Sequence, residues 1–424
     1  MRPILLLASV PLLLTVLPVE RLRAQVPVSE PATADYTVHE WGTFTSMADP
    51  GGIVLEGLHH EEEALPAFVH DLMKVEETGV SRRTKAAASH VTQKMETPVL
   101  YFYAEAAMTA QVRVWFAQGL MTQFYPLPNE VFPRIAEGRK QRVDMAQVKG
   151  SFITWDIDVL PRSDESPAVP EVAADDPWHF ARQTRSNLVR TRPVAGTKAR
   201  AETEHYLFYR GLGRWQPGLE SSAEPDGRLD FANRMAQPIP FCLALELGEH
   251  GGRFVVGDPL ASEQRTTFEL AAAEWLTDRD QFARRIGAIV LQALVAQGLF
   301  VDEARAMVAT WSRSWFTTDG TRVIYLLPRD TIDQVLPLAL DPAPKNLVRV
   351  MVGRHEVVTP AVQTEVEHAL EQRDSTDPAA RRAAAATFER LGRFLEPHLR
   401  NVARNGSSDA VRAAADAMLA TATR

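Results

Sequence analysis

The chain has 424 residues, 45% hydrophobic and 24% charged, with 46 Lys and Arg against 54 Asp and Glu for a net charge of −8. That balance supports a large buried core in roughly two or three domains, and it excludes the basic footprint of a nucleic-acid binder or of a protein held on an anionic membrane surface. Cys242 is the single cysteine, so intramolecular disulfides and cysteine-ligated metals are excluded as well.

Residues 1–24 read as a signal peptide. Arg2 gives a positive start, an apolar run over 4–19 is broken by Pro11 and Pro18, and Ala24 supplies a small residue before Gln25. This predicts an exported protein, periplasmic or extracellular. An uncleaved N-terminal anchor is the alternative, because the run approaches the roughly 20 residues that span a bilayer. Residues 25–35 (QVPVSEPATAD) form a Pro- and Ala-containing linker.

The segment 36–160 reads as a β-rich domain. Aromatic and β-branched runs at 99–103, 111–116 and 121–125 predict three strands in antiparallel pairing. Over 151–159 the alternation places Ile153, Trp155, Ile157 and Val159 on one face and Thr154, Asp156 and Asp158 on the other. Pro, acidic and small residues make 161–178 a linker. Strands at 205–209, 229–233, 239–247 and 253–257 then make 179–270 a second β-rich domain or a continuation of the first. Arg210-Gly211-Leu212-Gly213-Arg214 reads as a turn between strands with Trp215 as a packing anchor, and the apolar flanks of Cys242 predict an inert buried thiol. Trp41, Trp115, Trp155, Trp178 and Trp215 read as core rather than as stacking platforms.

From 271 to 358 the period changes to a helical hairpin plus strands. Thr277 and Asp280 form a capping box, Phe282, Ile286, Val290 and Leu294 share a face, and Gly298 ends the helix. Asp302 caps a second helix with the stripe Ala304, Met307, Val308, Trp311 and Trp315, and strands follow at 322–327 and 347–353. Residues 359–424 form a helical tail. Thr359-Pro360 and Asp377-Pro378 are helix starts; Ala384, Phe388, Leu391, Leu395, Leu399 and Val402 form one face, which Pro397 should kink; and Ser407 or Ser408 caps the last helix. The fold class is α+β: a β-rich sandwich-like N-terminal half, an α-helical hairpin with short strands, and a helical C-terminal tail.

The stretch His39-Glu40-Trp41-Gly42-Thr43-Phe44-Thr45-Ser46 resembles the start of a group of uncharacterised exported bacterial proteins. The resemblance extends through Met95-Glu96-Thr97-Pro98-Val99-Leu100-Tyr101-Phe102-Tyr103, Phe208-Tyr209-Arg210-Gly211, Thr310-Trp311-Ser312-Arg313-Ser314-Trp315-Phe316 and Arg349-Val350-Met351-Val352-Gly353-Arg354, and so covers most of the chain after residue 25. It implies one coherent protein and carries no catalytic residue across.

Three groups are candidates for chemistry. His39 shares a strand face with Trp41 and Thr43, a set that suits a polar ligand; the ordinary alternative is a histidine hydrogen-bonded at a sheet edge. His59-His60-Glu61-Glu62-Glu63, with His70 beyond, supplies the imidazoles and carboxylates that a divalent transition metal takes when cysteine is absent, with Glu62 or Glu63 as ligand or catalytic base. Against it, three glutamates in a row ordinarily make a solvated helix start. Asp156 and Asp158 lie roughly 7 Å apart on one strand face, a spacing open to cation binding or acid–base catalysis, though such pairs more often face solvent. The chain lacks the nucleophile elbow, the Walker loop and a dinucleotide-binding glycine motif. The sequence therefore favours a non-catalytic ligand- or protein-binding protein, with a metal-dependent hydrolase at residues 59–70 as the alternative.

Overall fold

The computed structural model describes residues 33–61, 64–75, 84–85, 88–134, 143–163, 167–197 and 199–422. The expected signal segment and the candidates Glu62 and Glu63 lie outside the described residues. Strand Thr33–Ala48 is the centre of the architecture. Tyr36, Val38 and Phe44 face one apolar core while Trp41 faces another, so from Val38 onward every residue of the strand is buried. A strand covered on both faces has no outward positions, which is why this one shows no simple alternation of polar and apolar residues.

It belongs to a nine-stranded sheet in the order Gly251–Gly257, Cys242–Gly248, Gly320–Leu326, Ala343–Val357, Thr33–Ala48, Gln93–Ala104, Leu207–Gly213, Gly119–Tyr125, His70–Asp71. Thr33–Ala48 pairs in parallel with Ala343–Val357, and the remaining pairings of this sheet are antiparallel. Strands from all three segments that the sequence separates at 161–178 and 271 thus share one sheet. Gly42 allows the closest approach at its centre: a Cβ there would sit 2.7 Å from Pro98 Cα and 2.8 Å from Met351 Sδ.

A second layer completes the sandwich. Ser151–Val159 pairs with Met108–Phe116, Val189–Thr191 and Glu130–Phe132, and Leu338–Asp341 closes the other side of Met108–Phe116. Ile153, Trp155, Ile157 and Val159 are fully buried between the layers, as their alternation predicts. A three-stranded sheet of Leu219–Ala223, Arg228–Asn233 and Arg265–Glu269 joins the same core. The expected antiparallel pairing of the three consecutive strands after residue 98 does not occur. Gln93–Ala104 and Gly119–Tyr125 both flank Leu207–Gly213 in the large sheet, while Met108–Phe116 lies in the second layer. The turns at 105–107 and 117–118 carry the chain across the sandwich instead of folding it into one sheet. Residues 210–213, read as a turn, are strand; a Cβ on Gly213 would lie 2.7 Å from Phe116, so glycine there serves packing.

Helices Arg279–Ala296 and Val301–Trp315 cover the outer face of the large sheet, burying Phe282, Ile286, Val290, Leu294, Met307, Trp311 and Trp315. Their caps differ from expectation. Asp278, not Thr277, accepts from the Gln281 amide, and Phe300 occupies the second N-cap, with the Glu303 carboxylate turned back to its amide. Asp302 lies in the first turn and accepts from the Arg185 amide. The tail comprises Pro360–Gln372, Pro378–Leu391, Leu395–Asn405 and Asp409–Ala422, packed on a core of Val366, Leu370, Leu391, Leu399, Val402 and Val411. Thr359, Asp377 and Ser408 accept the capping hydrogen bonds. The break falls at Gly392, φ +50°, rather than at Pro397, which sits in the first turn of its helix where no amide donor is needed. No helix among the described residues is long and apolar enough to cross a membrane.

Candidate functional site

The polar residues of the central strand each find a partner far away in sequence. His39 Nδ1 donates to Glu303 Oε2 at 2.7 Å, and Tyr103 donates to Glu303 Oε1 at 2.7 Å, all beneath Phe300. Glu40 is fully buried; Arg349 Nε donates to it at 2.5 Å, and Tyr209 donates to its other oxygen. Trp41 packs against Tyr101, and the Thr43 hydroxyl donates to the Glu96 carbonyl at 2.6 Å. His39, Trp41 and Thr43 share a face, as expected from the strand, but all three are buried and engaged in the covered interior of the sheet.

The neighbouring strand carries the local irregularity. Between Trp41 and Thr43 the register on Gln93–Ala104 advances from Val99 to Glu96, and between Phe208 and Gly211 it advances from Val99 to Met95. Both neighbours therefore see one extra residue at Thr97-Pro98, a β-bulge where proline cannot donate to the ladder. Thr97 takes φ +58°, a left-handed conformation that a β-branched residue adopts only under constraint, and one that a following proline disfavours further.

Over this bulge lies a cleft of about 40 Å³, against the 10–15 Å³ or so that one water needs. Its walls are Leu65, Pro66, Trp178, Tyr206 and Trp311; Glu96, Thr97 and Arg210 contribute its polar side. Three of its buried donors, Thr97 Oγ1, Arg210 Nε and Trp311 Nε1, have no hydrogen-bond partner among the described residues. The walls come from the loop before the large sheet's far edge, helix Pro177–Ala181 and helix Val301–Trp315, so the site exists only when the hairpin is docked. Glu96 and Thr97, Arg210, and Thr310 and Trp311 of this lining belong to three of the five sequence stretches singled out above.

Beneath the cleft runs a buried ionic network. Arg210 donates to Glu61 at 2.5 Å, Lys94 donates to Glu61 at 2.8 Å, and Arg393 of the tail donates to Glu96 at 2.5 Å while Thr45 donates to its other oxygen at 2.8 Å. Burial pushes the Lys94 ammonium down to about 8. Burial alone would raise the Glu96 carboxyl, but Arg393, Lys94 and Arg210 together hold it well below the usual carboxylate range. A larger cavity of about 260 Å³ separates the sheet from the tail. Its charged lining is already engaged, Arg393 with Glu96, Arg390 with Glu365, and Glu356 with Arg322 and Arg354.

The metal candidates divide. His60 Nε2 lies 2.9 Å and His59 Nε2 3.5 Å from Glu396 Oε2, and one ligand atom from each of these residues falls within 4.8 Å of the others. Burial pushes the His59 imidazole down to about 4, Glu396 opposing. His70 is placed elsewhere, at the sheet edge, with Nε2 3.1 Å from both Glu202 oxygens. Asp156 accepts from Gln111 at 2.9 Å and Asp158 pairs with Arg190 at 3.0 Å on the outer face of the second layer. Thr97, Glu303 and Glu396 are functional candidates the sequence reading does not name. Thr97-Pro98 stands within a resemblance stretch, but nothing in the residue order announces the bulge; Glu396 lies 336 positions from His60.

No family model and no curated protein matches this chain. Among solved structures, it is similar to the Fcho1 Mu homology domain of Danio rerio with bound Eps15 peptide, at 7% identity and TM-score 0.28, over 77% of this chain and 97% of that one. It is also similar to the yeast delta-COP-I mu-homology domain complexed with a Dsl1 WxWxV peptide, at 6% identity and TM-score 0.27, over 77% of this chain and 100% of that one. At such TM-scores neither likeness carries an argument about this chain.

Proposed function

We propose that this is a non-catalytic exported binding protein and that the cleft over the Thr97 bulge holds its ligand. Export rests on the reading of residues 1–24. The ligand is a short peptide segment or small amphipathic acid that inserts one apolar group between Trp178 and Trp311 and presents a carbonyl or carboxylate to the unpartnered donors. The observation that carries this reading is Thr97: a strained residue worth roughly 1–3 kcal/mol of destabilisation, with a buried hydroxyl left unpartnered, at the floor of a cleft. Such strain persists where the surroundings impose it, and a bulge that sets a buried, unpartnered hydroxyl in the lining of a cleft gives it a use. Hydrolysis at residues 59–70 is not part of this reading, because His70 pairs with Glu202 rather than joining His59 and His60.

Tryptophan fluorescence of the exported form, titrated with short peptides ending in an apolar residue and with small apolar carboxylates, tests it. A saturable change is expected. Arg210→Gln, which removes a charged donor worth about 1.5–3 kcal/mol, should weaken binding at least about tenfold. Thr97→Gly should weaken binding too while raising stability by about 1 kcal/mol, since glycine accepts positive φ without strain. A flat response across the whole panel, or unchanged affinity in both variants, overturns the reading.

A further inference from the structure

We propose that His59, His60 and Glu396 form a divalent transition-metal site, of the kind zinc occupies, that ties the loop before the large sheet to the helical tail. The argument begins with an imidazole short of partners. His59 is largely buried, its Nδ1 has no hydrogen-bond partner among the described residues, and its Nε2 stands 3.5 Å from Glu396 Oε2, beyond a good hydrogen bond. A buried imidazole with neither nitrogen well satisfied is destabilising unless something else takes its lone pair.

The neighbours are arranged as ligands. His60 Nε2 converges on the same Glu396 oxygen at 2.9 Å, and the two imidazole rings lie 4.2 Å apart, so one ion can contact all three residues. Zinc holds nitrogen and oxygen ligands at about 2.0–2.2 Å in a tetrahedron. That geometry sets ligand atoms roughly 3.3 Å from one another; the two imidazole-to-Glu396 separations, 2.9 and 3.5 Å, bracket it, and all three ligand atoms lie within 4.8 Å of one another. Arg400 donates to Glu396 Oε1 at 2.8 and 2.9 Å, which leaves Oε2 as the oxygen presented to the histidines.

The scaffold is built to bring these parts together. Gly57, at φ +107°, turns the loop where its Cα passes so close to the tail that a Cβ would sit 3.0 Å from Glu396 Cγ. The Gly57 amide is held by the Val91 carbonyl at 2.9 Å, and the far side of the histidine pair is fixed by Lys94 donating to the His60 carbonyl and to Glu61. Two histidines, one glutamate and a half-exposed His60 ring leave the fourth position to water, the ligand set of zinc sites that stay open. The sequence placed a metal among His59, His60 and His70; the structure assigns the third protein ligand to Glu396.

The test uses protein lacking any affinity histidines and purified without chelator. Zinc titrated by calorimetry should bind at one equivalent, magnesium should not, and zinc should raise the melting temperature because the ion bridges body and tail. His60→Gln, at a half-exposed position, and Glu396→Gln should each weaken zinc binding at least about tenfold and abolish the thermal shift. His70→Ala should leave both unchanged. Circular dichroism confirms that the variants are folded. No stoichiometric zinc in the wild-type protein, or zinc retained at full affinity in His60→Gln and Glu396→Gln, overturns the proposal; neither result touches ligand binding in the Thr97 cleft.

Discussion

Single side chains decide how polar residues survive inside this sheet. The central strand carries His39, Glu40, Thr43, Thr45 and Ser46, all buried, and each is matched by a partner between 51 and 309 positions away: Glu303, Arg349, the Glu96 backbone, the Glu96 carboxylate and His355. The sequence shows these residues clearly and hides the partners, because a hydrogen-bond partner three hundred residues distant leaves no local pattern. The His59-His60 pair is legible for the opposite reason, being adjacent, while its third ligand is not. His355 makes a residue-scale prediction. Between Ser46 and Ser221, at 2.8 Å from each, its imidazole is pushed down to about 4 by burial, with Glu356 opposing. A folded-state value below the unfolded one means that the native protein binds fewer protons. The stability that follows is full above pH 6.5 or so, falls as pH drops toward 4, and amounts to about 3 kcal/mol for this group. His59 and His398 are pushed the same way and share the window. Urea unfolding at pH 7.5 and at pH 4.5 should therefore show a smaller acid loss in His355→Asn than in the wild type; equal losses would show that folding does not lower the His355 imidazole below its unfolded value.

At the scale of elements, amphipathic periodicity is the reliable signal and chain breaks are the weak one. Ser151–Val159 and the hairpin helices sit where their patterns put them, since burial of one face is a local property of sequence. The three strands after residue 98 illustrate the failure: each was readable as a strand, but pairing depends on which layer a two- or three-residue turn delivers the chain to. The tail shows both behaviours. Its caps at Thr359 and Asp377 follow from side-chain chemistry, yet the break at Gly392 sends Arg393 into the sheet to meet Glu96 and carries Glu396 to the histidines. The tail is thus part of the β body's charge balance. Truncation after Thr376 removes Arg393, leaves Glu96 buried beside Thr45 and Lys94 without its shortest ion pair, and strips Leu391, Leu399, Val402 and Val411 from Val366 and Leu370. Loss of one partner of a buried pair alone is worth about 3–5 kcal/mol, so the melting temperature should fall by at least about 5 °C. An unchanged melting temperature by calorimetry would mean that the tail is an independent appendage.

The whole molecule is organised by one pairing between strands far apart in sequence, Thr33–Ala48 and Ala343–Val357. Strand Thr33–Ala48 runs parallel to Ala343–Val357 through a register that begins at Thr33 opposite Ala343 and ends at Ala48 opposite Val357. The strand that opens the described chain is therefore interior to the sheet, and it cannot acquire its second neighbour until residues 343–357 have been made. Long-range parallel pairing of this kind carries a large loop-closure term before any contact is gained. It also means that the boundary near residue 270, natural from the change of hydrophobic period there, cuts through a cooperative unit. A fragment of residues 25–270 retains Gln93–Ala104, Leu207–Gly213 and Gly119–Tyr125, but it exposes the other edge of Thr33–Ala48 together with Glu40, whose Arg349 is gone, and His39, whose Glu303 is gone. An unpaired interior edge, with His39 lacking Glu303 and Glu40 keeping Tyr209 but no counter-ion, is an aggregation template rather than a surface. The fragment should show no cooperative thermal transition and no native near-ultraviolet dichroism, and mixing it during refolding with residues 271–424 should restore both. A fragment that melts cooperatively on its own, with the aromatic dichroism of the intact protein, would separate the β half as a domain and break the link between the parallel pairing and the integrity of the fold.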